Sequence, residues 1–257
     1  MLRGRRERYP SVPQSLIVHR EFLTSNKSDQ LSFEQPKLFR MGSNYQILKP
    51  SFNPSTESDS SPQIQEVVKA LNLLPHIEGG FFAETDRAPD VVPSPFGSDK
   101  SSTSDLAPQR PGFDPTVRNS STTIFYLLTP NGPQGGFHRN KGRTVHTLHR
   151  GRGRYVLIHA DEEGSEKRIE SFIVGQNVAA GEKLQWIVAG GKYKASYLLP
   201  DEEGGKDSQG LLISETVVPG FEYCDHDFLS PGGLKQLVGA EKAEELSWLL
   251  SPLGKGE

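Results

Sequence analysis

The segment 61–75, SPQIQEVVKALNLLP, carries hydrophobic residues at every third or fourth position. That spacing brings the hydrophobic side chains to one face of an α-helix. Ser61 is a good N-cap, Pro62 suits the first helical turn and Pro75 cannot continue a helix, so we predict a helix between these residues. The hydrophobic positions are Ile64, Val67, Val68, Leu71 and Leu74.

After this helix the pattern changes to short, strand-like stretches. Alternation within the segment 79–87 places Phe82 and Glu84 on one face of a strand and Ala83 on the other. Glycine-rich turns separate further stretches of this kind, which is typical of an all-β barrel or sandwich. Helical spacing returns at 233–250 and predicts a short C-terminal helical segment. The other strand-like stretches are 121–129, 144–149, 154–160, 168–175, 183–189, 194–200 and 210–219.

These patterns divide the chain into a leader, one domain and a tail. Residues 1–60 show little periodicity and many Ser, Pro and Asn residues, so we expect a disordered leader and linker. The arginines near the start would suit a mitochondrial presequence, but the glutamate and proline residues among them argue against it. The domain spans 61–252 and includes a long inserted loop at 88–119. Residues 253–257 form a tail.

Composition and charge narrow the function classes. The chain of 257 residues has 29 basic and 32 acidic side chains, which give a net charge of −3. Such a charge creates no strong field that favours nucleic acid or an anionic membrane, and no apolar run approaches the ~20 residues of a membrane span. Cys224 is the only cysteine, so an internal disulfide is excluded and a reducing compartment is favoured. We therefore expect a cytoplasmic protein without a nucleic-acid or membrane partner.

Four of the seven histidines lie in one segment, GGFHRNKGRTVHTLHRGRGRYVLIHA at 135–160. Strand alternation over 143–149 places His146 on one face and His149 on the other, so these two imidazoles do not converge. His138 precedes that strand and can reach a pocket from its rim. We expect His159, at a strand end, to be structural. The spacing alone therefore leaves open a metal site, a metal-free catalytic site and a purely structural role.

Several motifs resemble one known family. The stretches PHIEGGFFAETDR, GGFHR, QWIVAGGKYKAS and VVPGFEY, in this order, resemble the cupin-5 family of RmlC-like cupins. The resemblance covers roughly 62–250. It implies a cupin double-stranded β-helix barrel, or jelly roll, with an N-terminal helix and a short C-terminal helical segment. It also implies a ligand pocket at one mouth of the barrel, frequent dimerisation, and a fold related to dTDP-4-dehydrorhamnose 3,5-epimerase.

Departures from the general cupin motifs bear on metal binding. His138 matches the first histidine, but the second histidine falls at Asn140 and the carboxylate falls at Thr144. Lys194 takes the place of the histidine in the second motif. A lysine ammonium at that place would repel a divalent cation, so we expect neither a metal nor another cofactor.

These residues suggest a metal-independent isomerase or epimerase that acts on a small, carbonyl-bearing, anionic metabolite by histidine-based proton transfer. A histidine can move protons near neutral pH, and a lysine can stabilise an enolate-like oxyanion. The predicted catalytic residues are His138, His146 and Lys194. The predicted ligand-binding residues are Glu84, Arg139, Arg143, Tyr193 and Glu215. We expect a small-molecule ligand and a homodimer.

Alternatives remain open from the sequence. The same residues fit a non-catalytic barrel that binds a small ligand, or a metal-dependent cupin that uses His138 and His146 with Glu84. Glu84 can instead pair with Arg87 or Arg143 at the rim, and Lys194 can point to solvent. Tyr193 has the opposite strand parity to Lys194. We expect His226, between two aspartates, in a local surface network, and His76 at the helix exit or packed under the barrel.

Overall fold

The computed structural model describes residues 47–55, 61–97 and 109–255, and the predicted leader lies largely outside this part of the chain. Within these ranges the chain forms two α-helices, thirteen short strands and several 3₁₀ turns. The helices are α1 (Pro62–Ala70) and α2 (Pro231–Leu246). The strands are β1 (Leu74–Pro75), β2 (Phe81–Arg87), β3 (Val91–Pro93), β4 (Val117–Asn119), β5 (Thr122–Leu128), β6 (Gln134–Asn140), β7 (Arg143–Arg150), β8 (Gly153–Ile158), β9 (Ile169–Val174), β10 (Gln185–Val188), β11 (Tyr193–Leu198), β12 (Leu211–Val218) and β13 (His226–Phe228).

Two antiparallel sheets build the barrel. The six-stranded sheet has the order β1-β2-β5-β12-β7-β10, and the five-stranded sheet has the order β13-β6-β11-β8-β9. This mostly antiparallel arrangement with two flanking helices confirms the predicted all-β cupin barrel. The registers place Lys194 opposite His138 and Glu215 opposite His146. Residues directly opposite each other on neighbouring strands share one face of the sheet, so the members of each pair point to the same side of their sheet.

Strand alternation separates the barrel interior from a second hydrophobic layer. In β7 the burial alternates as predicted, with Thr144, His146 and Leu148 buried. The interior below the polar residues is a hydrophobic cluster that includes Tyr126, Leu148, Tyr155 and Ile213. Burial of this cluster stabilises the packing of the two sheets.

Helix α2 covers the opposite face of the five-stranded sheet. Tyr193, Ala195 and Tyr197 of β11 pack there against Leu234 and Val238 of α2. The alternate residues of the same strand face the barrel interior, as period-two alternation requires. The helix is broken at Gly239, whose φ of 78° lies in the left-handed region that favours glycine.

Helix α1 is shorter than predicted. It begins after Ser61 with Pro62 in its first turn, as expected, but it ends at Ala70. Asn72 adopts a φ of 53°, which turns the chain out of the helix. Leu74 was predicted on the hydrophobic helical face, and this prediction is wrong because Leu74 lies in β1 and is 63% exposed.

The described part of the inserted loop is well anchored to the domain. Strands β3 and β4 pair with each other, and Arg118 of β4 is fully buried. Its guanidinium donates to both carboxylate oxygens of Asp225, at 2.6 and 3.1 Å, and also lies over the rings of Phe96 and Phe113. No helix among the described residues is long and apolar enough to cross a lipid bilayer.

Candidate functional site

A cavity of about 300 Å³ lies against strands β2, β5, β6 and β12. Its walls are largely apolar, with Phe82, Ile124, Val217 and Phe221 among them. Charged side chains stand at its floor and rim. Those that line it are Glu78, Glu84, Glu215, Glu222, Arg87 and Arg110.

Lys194, Glu215 and His146 form one buried cluster, which we call the Lys194 group. The Lys194 Nζ lies 2.5 Å from Oε2 of Glu215 and 3.1 Å from Nε2 of His146. That imidazole nitrogen lies 3.3 Å from the same carboxylate oxygen. Because Lys194 belongs to the five-stranded sheet and Glu215 to the six-stranded sheet, their ion pair joins the two sheets across the barrel interior.

The ion pair controls the charge state of Glu215. Burial works against ionisation of this carboxyl, but the Lys194 ammonium and His146 hold its pKa well below the usual range. Burial lowers the pKa of His146, whose ring stacks on the indole of Trp186 at a centroid distance of 5.1 Å. Glu215 is therefore an ionised carboxylate at neutral pH, and the buried Lys194 ammonium is its counter-charge. It is the member of this group that lines the cavity.

Glu78, His138 and His226 form a second cluster, which we call the Glu78 group. Oε1 of Glu78 lies 2.9 Å from Nε2 of His226, and Oε2 lies 3.2 Å from Nε2 of His138. The two imidazole rings stack with their centroids 5.2 Å apart. His76 lies beside the group, with Nδ1 3.6 Å from Oε2 of Glu78.

A tight turn between β1 and β2 fixes Glu78 in this position. Gly79 and Gly80 follow it with φ values of 109° and 66°, and a side chain at Gly79 would collide with the carbonyl oxygen of Gln134. Only glycine fits such a turn without strain. The backbone N–H of Gly136 donates to the Glu78 carbonyl at 2.8 Å, which ties the turn to β6.

The Glu78 group lacks a built-in counter-charge. Burial lowers the pKa of His138 to about 3, against the opposing effect of Glu78. Burial alone would raise the pKa of the Glu78 carboxyl, but the positive charge that the imidazoles can carry lowers it well below the usual range. As long as these imidazoles are neutral, the Glu78 carboxylate has no charged partner within the described ranges. Every ion-pair contact of Glu78 within the described ranges is to a histidine.

An ion-pair chain forms the rim of the cavity. Arg87 donates to Glu84 at 2.8 Å and to Glu222 at 3.0 Å. Arg110, from the inserted loop, donates to the same oxygen of Glu222 at 2.6 Å. Glu84 is thus at the cavity, as predicted, and it pairs with Arg87, which was the alternative from the sequence.

The structure does not bring the other predicted ligand-binding residues to the cavity. Arg139 pairs with Asp227 at 2.8 Å and stacks on the ring of Tyr193, whose hydroxyl donates to the same aspartate. Both side chains lie on the face of their sheet opposite Lys194 and His138. Arg143 is an exposed residue at the start of β7, with parity opposite to His146. Strand parity therefore separates these three residues from the inward set.

Two histidine assignments also need correction. His138 was expected at a rim before a strand, but it lies within β6 and is buried. His226 was expected in a surface network, yet it is 1% exposed and contacts Glu78. The sequence patterns did not predict Glu78 as a site residue and did not place His76 at the cavity. The available signal was that Glu78 and His76 lie in PHIEGG and that His226 closely follows VVPGFEY, two of the motifs that carry the family resemblance.

The customary cupin metal positions do not fit a cation in this chain. Asn140 and Thr144 are both buried, and Nδ2 of Asn140 lies 3.4 Å from Oγ1 of Thr144. Lys194 places an ammonium where the histidine of the second cupin motif would bind the metal. A different set offers suitable donors. One ligand atom each from Glu78, His138 and His226 lies within 4.8 Å of the others.

Comparisons with known proteins agree with this architecture. The family model described as Cupin superfamily (DUF985) matches residues 65–229. An uncharacterised protein of Saccharomyces cerevisiae, YML079W, is 44% identical over 199 residues, which cover 76% of this chain and 89% of that protein. A hypothetical protein from Leishmania major is 26% identical, with a TM-score of 0.59 over 72% of this chain and 97% of its own. Protein SO0799 from Shewanella oneidensis, 23% identical, shares the fold with a TM-score of 0.54 over 73% of this chain and 97% of its own. The chain belongs to the Cupin_5 (DUF985) family of the cupin superfamily.

Proposed function

We propose that this cupin is an isomerase-class enzyme that transfers a proton at the carbon atom next to the carbonyl group of a small metabolite. One observation carries the proposal: the carboxylate of Glu215 opens onto a cavity while a buried ammonium and a buried imidazole hold it from behind. A positioned carboxylate beside a cation is suited to remove a proton from a carbon acid and to stabilise the oxyanion that forms.

Glu215 acts as the base in this proposal. It is ionised at neutral pH and is held by Lys194 and His146, so its orientation is fixed before the ligand binds. When Glu215 takes a proton, its negative charge disappears, and the buried Lys194 ammonium, which is not among the described residues that line the cavity, favours the new enolate only through its electrostatic field. In an isomerisation Glu215 then returns the proton to the former carbonyl carbon, while the proton of the neighbouring hydroxyl group moves to the former carbonyl oxygen. His146 keeps Lys194 in place and acts as a positioning residue.

The low pKa of Glu215 also sets a requirement. A carboxyl with a depressed pKa is a weak base, so the substrate C–H must be made more acidic by positive charge close to the carbonyl oxygen. His138, which the sequence suggested as a base, contacts Glu78 and is not among the described residues that line the cavity. We therefore assign the base to Glu215 and not to His138.

The cavity restricts the ligand class. A volume of about 300 Å³ is at the lower end for ligand pockets, which suits a small metabolite with an apolar portion. Four carboxylates and two guanidiniums line it, and both guanidiniums are already paired with Glu222. These charges favour a neutral hydroxy-carbonyl compound over the anionic metabolite suggested by the sequence, unless a cation is also bound.

Proton exchange with solvent tests the proposal even when the product is unidentified. The purified chain is incubated in D₂O with small aldoses, ketoses and 2-oxo acids, and loss of each C–H signal next to the carbonyl is followed by ¹H NMR. We expect exchange of at least one compound, and we expect E215Q to exchange it about 10²-fold to 10⁴-fold more slowly. E170Q, at a partly exposed glutamate of β9 outside the cavity, should match the wild-type rate.

Two outcomes would remove the enzymatic proposal. Equal exchange by E215Q and the wild type would exclude Glu215 as the base, provided that both unfold at similar temperatures. Ligand-induced stabilisation without any exchange would favour a non-catalytic binding module with the same cavity. The homodimer and the cytoplasmic location stay predictions from the sequence, and sedimentation measurements would test the first of them.

A further inference from the structure

We infer that the Glu78 group is a binding site for one first-row divalent transition-metal cation. The three donors are Oε of Glu78, Nε2 of His138 and Nε2 of His226. This set differs from the customary cupin positions at Asn140, Thr144 and Lys194. Binding of the cation stands on the geometry alone, whereas its use in catalysis rests on the proposed function.

The hydrogen bond of His138 fixes which of its nitrogens can bind a metal. Nδ1 lies 2.8 Å from the carbonyl oxygen of Gly136, which can only accept, so Nδ1 carries the proton. In the neutral ring Nε2 then presents a lone pair to the Glu78 carboxylate. Metal-binding histidines commonly donate their other N–H to a backbone carbonyl in this way.

The Nε2 atom of His138 is also unsatisfied. It is buried and has no hydrogen-bond partner within the part of the chain that the structure describes, although the Glu78 carboxylate oxygen is 3.2 Å away. A lone pair that faces a carboxylate is repelled unless a positive centre lies between them. A buried polar atom of this kind calls for a ligand, a proton or an ion.

Charge balance favours a cation at the same place. The Glu78 side chain is only 9% exposed and its ion-pair contacts within the described ranges are all to histidines, and burying a charge without a charged partner is costly. The nearby Lys194 ammonium is already neutralised by Glu215 at 2.5 Å, so that pair carries no net charge toward Glu78. A divalent cation would neutralise Glu78 and accept the lone pairs of both imidazoles.

The donor types and distances select the class of metal. Two imidazoles and one carboxylate suit zinc, iron(II), cobalt or nickel, whereas calcium and magnesium prefer oxygen ligands. Ligands about 2.0–2.1 Å from a tetrahedral zinc lie about 3.3–3.4 Å apart. The three ligand atoms lie within 4.8 Å of one another, and the two imidazole nitrogens lie 2.9 and 3.2 Å from different oxygens of Glu78. Side-chain rotation would therefore have to bring one oxygen and both nitrogens to this spacing.

The site also faces the cavity through Glu78, which lines it. Three protein ligands leave at least one coordination position open in a metal site of this kind. A carbonyl oxygen at that position would be polarised, and its neighbouring C–H would become more acidic. This supplies the positive charge that a weak base such as Glu215 requires, if the proposed function holds.

Cobalt binding tests the site. The purified chain is treated with a chelator, desalted and titrated with Co²⁺, and binding is followed by visible absorption and equilibrium dialysis. We expect one equivalent to bind, with weakening of at least about tenfold in E78Q and in H226N. His149, an exposed imidazole on the outer side of β7, offers the control H149A, which should bind like the wild type.

The outcomes separate the metal site from the proposed reaction. Absence of stoichiometric binding by the wild type, or unchanged affinity in folded E78Q and H226N, would overturn the site. E78Q is nearly isosteric, so it serves if H226N does not fold by circular dichroism. E215Q should keep its cobalt while losing exchange activity, and cobalt binding with normal exchange in E215Q would remove only the proposed function.

Discussion

The barrel interior holds two buried carboxylates with opposite electrostatic arrangements. Glu215 has an ammonium in contact, so the Lys194 group carries its own counter-charge. The ion-pair contacts of Glu78 within the described ranges are all to imidazoles, so the charge of the Glu78 group can be balanced only by a proton or an added cation. The difference shows how two similar side chains in one barrel can serve two purposes. One is a complete ion pair that joins the sheets, and the other is an incomplete set of ligands.

Removal of Lys194 from its ion pair with Glu215 should strongly reduce the free energy of unfolding. K194M leaves Glu215 buried without its cation, and removal of one partner from a buried ion pair costs about 3–5 kcal/mol. We expect the free energy of unfolding, measured with urea, to fall by this amount. The double variant K194M/E215L should recover most of the loss, because a well-packed apolar pair is often as stable as a buried ion pair.

A neighbouring lysine provides the matched control for that measurement. Lys192 pairs with Asp161 at 2.7 Å near the surface, where ion pairs contribute about 0–1 kcal/mol. K192M should therefore have a small effect on the free energy of unfolding. A loss in K194M no larger than that in K192M would show that the Lys194 group is not the tight buried pair described above.

The pH dependence of stability reports on the same ion pair. The folded-state pKa of Glu215 is depressed, so its contribution to stability is present above the ordinary glutamate pKa and is lost as pH falls through the folded value. One such group contributes a slope of up to about 1.4 kcal/mol per pH unit below about pH 4.5. We expect urea unfolding of E215Q to show a shallower acid slope than the wild type. Identical slopes would contradict the depressed pKa.

A residue outside both clusters should matter less. Tyr193 donates to Asp227 at 2.9 Å on the outer side of the five-stranded sheet. Y193F removes this hydrogen bond and should cost about 0.5–1.5 kcal/mol in unfolding free energy. Proton exchange should stay at the wild-type rate. A large loss of exchange in a stable Y193F would restore the ligand-binding role suggested from the sequence.

The alternation and spacing of hydrophobic residues predicted features that depend on the geometry of a single strand or helix. Alternation in β7 correctly placed His146 inward and His149 outward, because a strand fixes side-chain direction with a period of two. The family resemblance correctly gave the barrel. Helix α1 was predicted too long, because the leucines around Asn72 continue the helical spacing, although Asn is a residue that can end a helix in the left-handed conformation.

The Glu78 group could not be assembled from the same patterns. Glu78 lies in a glycine turn, where strand alternation does not apply. His226 lies in a three-residue strand between two aspartates, and these charged neighbours led to the prediction of an exposed position. The two residues are 148 positions apart in the chain. Only the pairing of β13 with β6 brings His226 next to His138. The spacing of residues along the sequence does not reveal which strands pair or in which register.

Anomalous X-ray diffraction at the cobalt edge, on crystals grown with Co²⁺, would locate the cation at the incomplete ligand set. We predict one strong peak bonded to Glu78, His138 and His226, with metal–ligand distances of about 2.0–2.2 Å. A cobalt peak at any other place, or ordered water in contact with Glu78 where the cation is expected, would contradict the proposed metal site.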